Sequence, residues 1–180
     1  TCIEKNQAGQ TAYPSETDLE EIKDSEKLEA LLCRKAQKCY ELRSNGNEHA
    51  PAFDDLKDLD AQQIYDLVIL NAPECYTARK VRNDNYPSFL DLKAAAHDKI
   101  NLITSRFAWP FYDAGYCSAK QLASLKNHGD VQRFISPENI EKLRAYNPAK
   151  NDDIPHFEWL CSDLELEFVI APPTKGVGGM

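Results

Sequence analysis

A chain of 180 residues, 42% hydrophobic and 28% charged, is long enough to make one domain around a core of its own and has the composition of an ordinary globular protein. Its formal net charge of -8 argues against nucleic acid, which needs clustered Lys and Arg against its phosphates, and points to a basic protein or a neutral small molecule as partner. No apolar run approaches the roughly 20 residues that cross a bilayer, so no transmembrane segment is expected.

Residues 1–14 are polar and without periodicity, and read as an extended N-terminal arm. A first helix over residues 18–43 follows. Thr17 with Glu20 forms a capping box, and Leu28, Leu32, Ala36 and Cys39 or Tyr40 recur at threes and fours until Ser44-Asn45-Gly46-Asn47 ends the pattern. Asp60 with Gln63 opens a second helix that Pro73 interrupts, and a short helix carrying Cys75, Tyr76, Arg79, Lys80 and Arg82 resumes there. Ser88 with Asp91 opens the longest later helix, whose apolar positions run from Phe89 through Leu92, Ala96, Ile100 and Ile103 to Phe107. Ser118 with Gln121 caps another that Asn127-His128-Gly129 stops, and Ser136-Pro137-Glu138 begins one that ends before Pro148. From Asp153 to Ile170 the spacing is ambiguous: Phe157, Leu160, Leu164 and Phe168 fit a helix, whereas Leu164, Leu166, Phe168 and Ile170 alternate like a strand, and helix is favoured at least as far as Leu164.

These patterns predict an all-α fold, a single compact multi-helix domain of five to six helices over residues 15–171, with a flexible tail over 172–180. No internal repeat and no domain boundary stand out.

The six cysteines, Cys2, Cys33, Cys39, Cys75, Cys117 and Cys161, form no C-x-x-C pair, and their even number points to disulfides and hence to a secreted or periplasmic protein. On one continuous helix Cys33 and Cys39 would stand about 9 Å apart along the axis, beyond the roughly 4.4–6.8 Å that a disulfide spans. Each is therefore expected to bond elsewhere, with Cys75, Cys117 or Cys161 as partners. Cys2, so near the N-terminus, could instead carry a lipid anchor; that would leave an odd number, and a crosslink is the preferred expectation.

Motifs for chemistry are sparse. His49, His97, His128 and His156 are too scattered for a zinc site, and no cofactor is expected. There is no G-x-S-x-G elbow, Walker loop or H-E-x-x-H. His97-Asp98 is similar to the His-Asp pair of secreted phospholipases A2, but the Cys-Cys pair and glycine-rich calcium loop of that family have no counterpart here. No catalytic residue is assigned. The densest aromatic stretch, residues 106–116, leaves its helix at Trp109-Pro110, which places Trp109, Phe111, Tyr112 and Tyr116 on a loop that packs on the core or recognises a partner. Asp152, Asp153 and Glu158 lead an acidic run free of Lys and Arg that would steer a basic protein. The expectation is thus an exported protein-binding protein, an inhibitor or immunity-type factor acting on a basic secreted enzyme or toxin. The alternatives are a small secreted hydrolase or ligand-binding protein with a cavity near residues 107–116, and a secreted host-directed effector.

Overall fold

Side-chain caps cut this chain into short helices. In the computed structural model, which describes residues 1–169, these are α1 (Cys2–Gln7), α2 (Glu16–Glu20), α3 (Ser25–Leu32), α4 (Arg34–Ser44), α5 (Phe53–Leu56), α6 (Ala61–Val68) and α7 (Ala72–Val81). They continue as α8 (Phe89–Ala94), α9 (His97–Thr104), α10 (Trp109–Asp113), α11 (Ala119–Ala123), α12 (His128–Phe134), α13 (Glu138–Ala145) and α14 (His156–Leu164). The all-α class holds, with fourteen α-helices and no strand among the described residues in place of five or six helices.

The difference in number has local causes. The boxes at Asp60/Gln63, Ser88/Asp91 and Ser118/Gln121 form as expected. The first box is Ser15/Asp18 rather than Thr17/Glu20, and α2 stops at Glu20 so that Asp24 can cap α3 anew. The helix expected over residues 18–43 breaks again at Cys33, whose backbone is extended and whose sulfur accepts the Ala36 N–H at 3.4 Å. Ala95 and Ala96, also extended, split the helix expected from Phe89 to Phe107 into α8 and α9. Asn127 starts a helix instead of stopping one, its side chain accepting the Asp130 N–H at 3.0 Å. Residues 1–14, expected as an extended arm, carry α1. The proposed tail over 172–180 lies outside the described residues.

The many helices are few in kind, because the chain repeats. Tyr40, Tyr76 and Tyr112 lie 36 residues apart, as do Ala36, Ala72 and Ala108, and Leu31, Leu67 and Ile103; all are buried. Each unit holds a short first helix (α2, α5, α8, α11), a second (α3, α6, α9, α12) and a third (α4, α7, α10, α13). Alone, α1 takes the place of a third helix before the first unit, and α14 that of a first helix after the fourth. Second helices stack in one row, α3 on α6, α6 on α9 and α9 on α12, while α8, α11 and α14 each pack on the second helix of the preceding unit. Such a stack buries its core between neighbours along one dimension. The expectation of no internal repeat is corrected accordingly.

Polar bonds follow the same period. The hydroxyls of Tyr40 and Tyr112 donate to the carbonyls of Leu31 and Ile103 at 2.6 Å, and that of Tyr76 donates to Leu67, so the open C-terminal carbonyls of α3, α6 and α9 each gain a donor. In the fourth unit Leu143 replaces the tyrosine, and Asn139 Nδ2 serves the carbonyls of Arg133 and Phe134 at 2.8 and 3.0 Å. Between units, Arg43 donates to the Ala50 carbonyl at 3.1 Å and to Asp55 at 2.9 Å, and Arg79 does the same with Tyr86 and Asp91, both at 2.9 Å. Asn47 Nδ2 reaches the Tyr76 carbonyl at 2.9 Å and Asn83 Nδ2 that of Tyr112 at 3.1 Å. Backbone stitches complete the joints: the N–H groups of Phe53, Phe89 and Ala119 donate to Ala12, His49 and Asn85 at 2.8–2.9 Å.

No disulfide forms: all six cysteines are free, and all except the half-buried Cys33 are buried. Cys39 and Cys75 are repeat-equivalent core positions, and the Cys75 thiol donates to the Thr104 carbonyl at 3.6 Å. Burial pushes the thiols of Cys75 and Cys161 up to about 12 and raises those of Cys2, Cys39 and Cys117 as well. These side chains act as small apolar packing groups. The expectation of a secreted or periplasmic protein rested on crosslinks and loses that support.

Candidate binding groove

The end of the described chain builds one wall of a wide concavity. Past α14, Glu165 takes a left-handed conformation (φ 57°), and the chain turns back with Leu166 N–H on the Cys161 carbonyl at 2.8 Å. It then runs extended and antiparallel to residues 124–126: Phe168 bridges Leu125, Lys126 N–H donates to Glu167 at 3.3 Å, and Val169 N–H donates to Ser124 at 2.9 Å. The ambiguity over residues 164–170 resolves as helix through Leu164 and extended chain through Val169, with Ile170 outside the described residues.

Between this segment, α8, α11 and the Glu48-His49 loop opens a groove of about 1100 Å³. Phe89, Leu90, Ala94, Leu125, Phe168 and Val169 give it an apolar lining, in which Leu90 is 61% and Val169 74% exposed. Charged groups around it are largely engaged. Arg79 holds Asp91, and the Lys80 ammonium bonds Glu48 at 2.9 Å, which brings that carboxyl down to about 2. Lys99, 8% exposed, donates to the Ala123 and Leu125 carbonyls at 3.0 and 2.6 Å and so fixes the end of α11 against α9. Lys120 makes no ion pair among the described residues.

A smaller cleft of about 400 Å³ lies between α6 and α9. His97 bonds Asp66 there at 2.6 Å, not its sequence neighbour Asp98, and that bond raises the imidazole above its ordinary value. Thr104 at the same cleft commits its hydroxyl to the carbonyls of Ile100 and Asn101. The pair ties the second helices of units two and three. Among the described residues no group of three or more His, Cys, Asp or Glu side chains is arranged to hold a metal ion, and no helix is long and apolar enough to cross a membrane.

The residues singled out in the aromatic and acidic stretches do not line the groove. Trp109 and Pro110 start α10 rather than a loop, since proline near a helix start forfeits no hydrogen bond. Phe111 and Tyr112 are fully buried and present no surface. Trp109 is half-buried, its indole N–H on the Thr104 carbonyl at 3.2 Å and Arg106 4.5 Å over its ring; Tyr116 packs on His156 at 4.9 Å. Asp152, Asp153 and Glu158 are exposed. The groove residues Leu90, Lys120, Phe168 and Val169 were not singled out, yet the period would have marked one. Leu90 is an apolar residue at the position that Asp54 and Lys120 occupy in neighbouring units.

No protein-family model, curated protein or solved structure matches this chain.

Proposed function

We propose that this chain is a helical-repeat binding protein whose groove beside α8 and α11 holds an apolar segment of another protein. The observation that carries the reading is the groove itself: about 1100 Å³ of concave surface with Leu90 and Val169 open to solvent above buried Phe89. Concave, mostly apolar surfaces with a few placed polar groups are the usual form of a binding site, and stacked repeats commonly present extended ones. Of the functions expected from the sequence this keeps protein binding. The hydrolase alternative needs a cavity near residues 107–116, where Phe111 and Tyr112 instead fill the core.

The test is selection of displayed random peptides against the folded chain, followed by affinity measurement on Leu90→Asp. Selected peptides should be rich in apolar residues and lose at least about tenfold in affinity on the variant, roughly 1.4 kcal/mol, with the far-UV circular dichroism unchanged. Peptides that bind parent and variant alike would refute the reading.

A further inference from the structure

The row of first helices carries an ordered sequence of charge. Residues 15–24 hold Glu16, Asp18, Glu20, Glu21 and Asp24 against Lys23, and residues 52–60 hold Asp54, Asp55, Asp58 and Asp60 against Lys57. Residues 88–96 balance Asp91 with Lys93, and residues 118–127 hold Lys120 and Lys126 with no acid, although Lys126 lies 3.5 Å from Glu167 of the groove wall in an exposed ion pair, a kind that contributes little in water. Several of these acids serve caps and Asp54 pairs with Lys57 at 3.3 Å, but Glu16, Glu20, Glu21, Asp54 and Asp58 are all exposed. The second residue of each first helix shows the order most plainly. Thr17, Asp54, Leu90 and Lys120, all exposed, read polar, acidic, apolar and basic along the stack.

The groove sits where the sign changes. A second, independent feature marks its wall as a place for extended chain. In the antiparallel pairing of residues 167–169 with 124–126, the neighbours of Phe168 make the bonds, so Phe168 N–H and C=O face the opposite side. Among the described residues neither has a partner. Stacked helices stand about 8–10 Å apart, which puts Asp54 and Lys120, two units apart, on the order of 20 Å from one another. Extended chain covers that in about six residues.

We propose that the row of first helices binds an extended partner segment with three parts in order: basic residues against α2 and α5, apolar residues in the groove beside Leu90, and acidic residues against Lys120 and Lys126. This rests on the groove reading and names its partner. Burial in the groove supplies affinity, while the exposed charges, screened beyond about 8 Å at physiological ionic strength, set direction and exclude segments of uniform sign.

The experiment uses fluorescent peptides of about ten residues sharing one apolar centre: basic-apolar-acidic in both chain directions, uniformly basic, uniformly acidic, and neutral. Affinities come from anisotropy at low and physiological salt. One bipolar peptide should bind about tenfold or more tightly than either uniform one. The double substitution Lys120→Glu with Lys126→Glu should move that preference to the uniformly basic peptide. Equal affinity for bipolar and uniformly basic peptides, or a preference that the double substitution does not move, overturns the proposal. If the neutral peptide binds through Leu90 while charge order has no effect, the groove reading stands and the ordered partner falls. If no peptide binds, both fall. A chain ending at Val169 that gains about tenfold for every peptide alike would assign the groove to the chain's own C-terminal residues, and dimerisation abolished by Leu90→Asp would assign it to a second copy; either overturns the proposal.

Discussion

Replacing Tyr76 by Phe removes one oxygen and leaves a ring of the same shape in the same place. Tyr76 is wholly buried, Leu67 is 2% exposed, and the phenol donates to the Leu67 carbonyl near the end of α6, where no intrahelical donor is available. The variant leaves that carbonyl unpaired in an apolar setting, at a cost of about 1–3 kcal/mol. For a chain of this size each kcal/mol lowers Tm by about 2–4 °C, so the expected fall is roughly 2–12 °C. Urea unfolding followed by far-UV circular dichroism should show the midpoint drop with an unchanged slope. Because the tyrosines sit in different units, Tyr40→Phe and Tyr112→Phe should cost similar amounts, and the triple variant should approach the sum. Asn139→Leu, which leaves the Phe134 carbonyl without a donor in the unit where Leu143 replaces tyrosine, while the Arg133 carbonyl keeps the Ser136 N–H, should cost a similar amount. A Tyr76→Phe chain within about 0.3 kcal/mol of the parent would refute the claim that these hydroxyls close the second helices.

Three further outcomes rest on the same packing. In the native chain a thiol reagent should react readily with Cys33 and slowly with the five buried cysteines, all six reacting after unfolding; a crosslink found by mass spectrometry without reductant would contradict the packing described. The Asp66 hydrogen bond holds His97 above its ordinary value, so the bridge between α6 and α9 is at full strength below about pH 6.5 and fades as pH rises through the higher folded-state value. Proton NMR should place the His97 midpoint above the usual range, Asp66→Asn should bring it back, and an unmoved midpoint would refute the bridge. Lys99→Met deletes two charge-assisted bonds to the Ala123 and Leu125 carbonyls, and should cost about 1.5–3 kcal/mol and speed amide exchange at residues 124–126; unaltered exchange there would count against its anchoring role.

Helical class was legible because caps and three-and-four spacing are local. Three of the expected boxes, at Asp60, Ser88 and Ser118, start helices as read. Boundaries were less legible, since the apolar stripe runs on through Cys33 and through Ala95-Ala96 while the backbone turns; a buried face seen in projection does not record that the helix carrying it changes direction. The repeat was present in the chain as Cys39/Cys75, Arg43/Arg79, Pro51/Pro87 and Asp55/Asp91, each pair 36 apart. It was masked because the identical positions are few and the third joint is shorter: Ser118 follows Ser88 by 30 residues. Counting cysteines for disulfides failed for the same reason. Cys39 and Cys75 occupy one repeat position as packing groups, which a count cannot reveal. The groove depends on an encounter between residues 124–126 and 167–169 that no local pattern encodes.

The joints between units make the array editable. Excising residues 51–86 would join Ala50 to Pro87 just as Ala50 now precedes Pro51, and the repeating contacts at the joints have substitutes in the next unit. Arg43 would meet Asp91 in place of Asp55, Asn47 the carbonyl of Tyr112 in place of Tyr76, and Phe89 N–H the carbonyl of Ala12 in place of that of Phe53. Duplicating the same segment would lengthen the stack by one period. Length in such a chain is a quantity that recombination can set without redesigning a core.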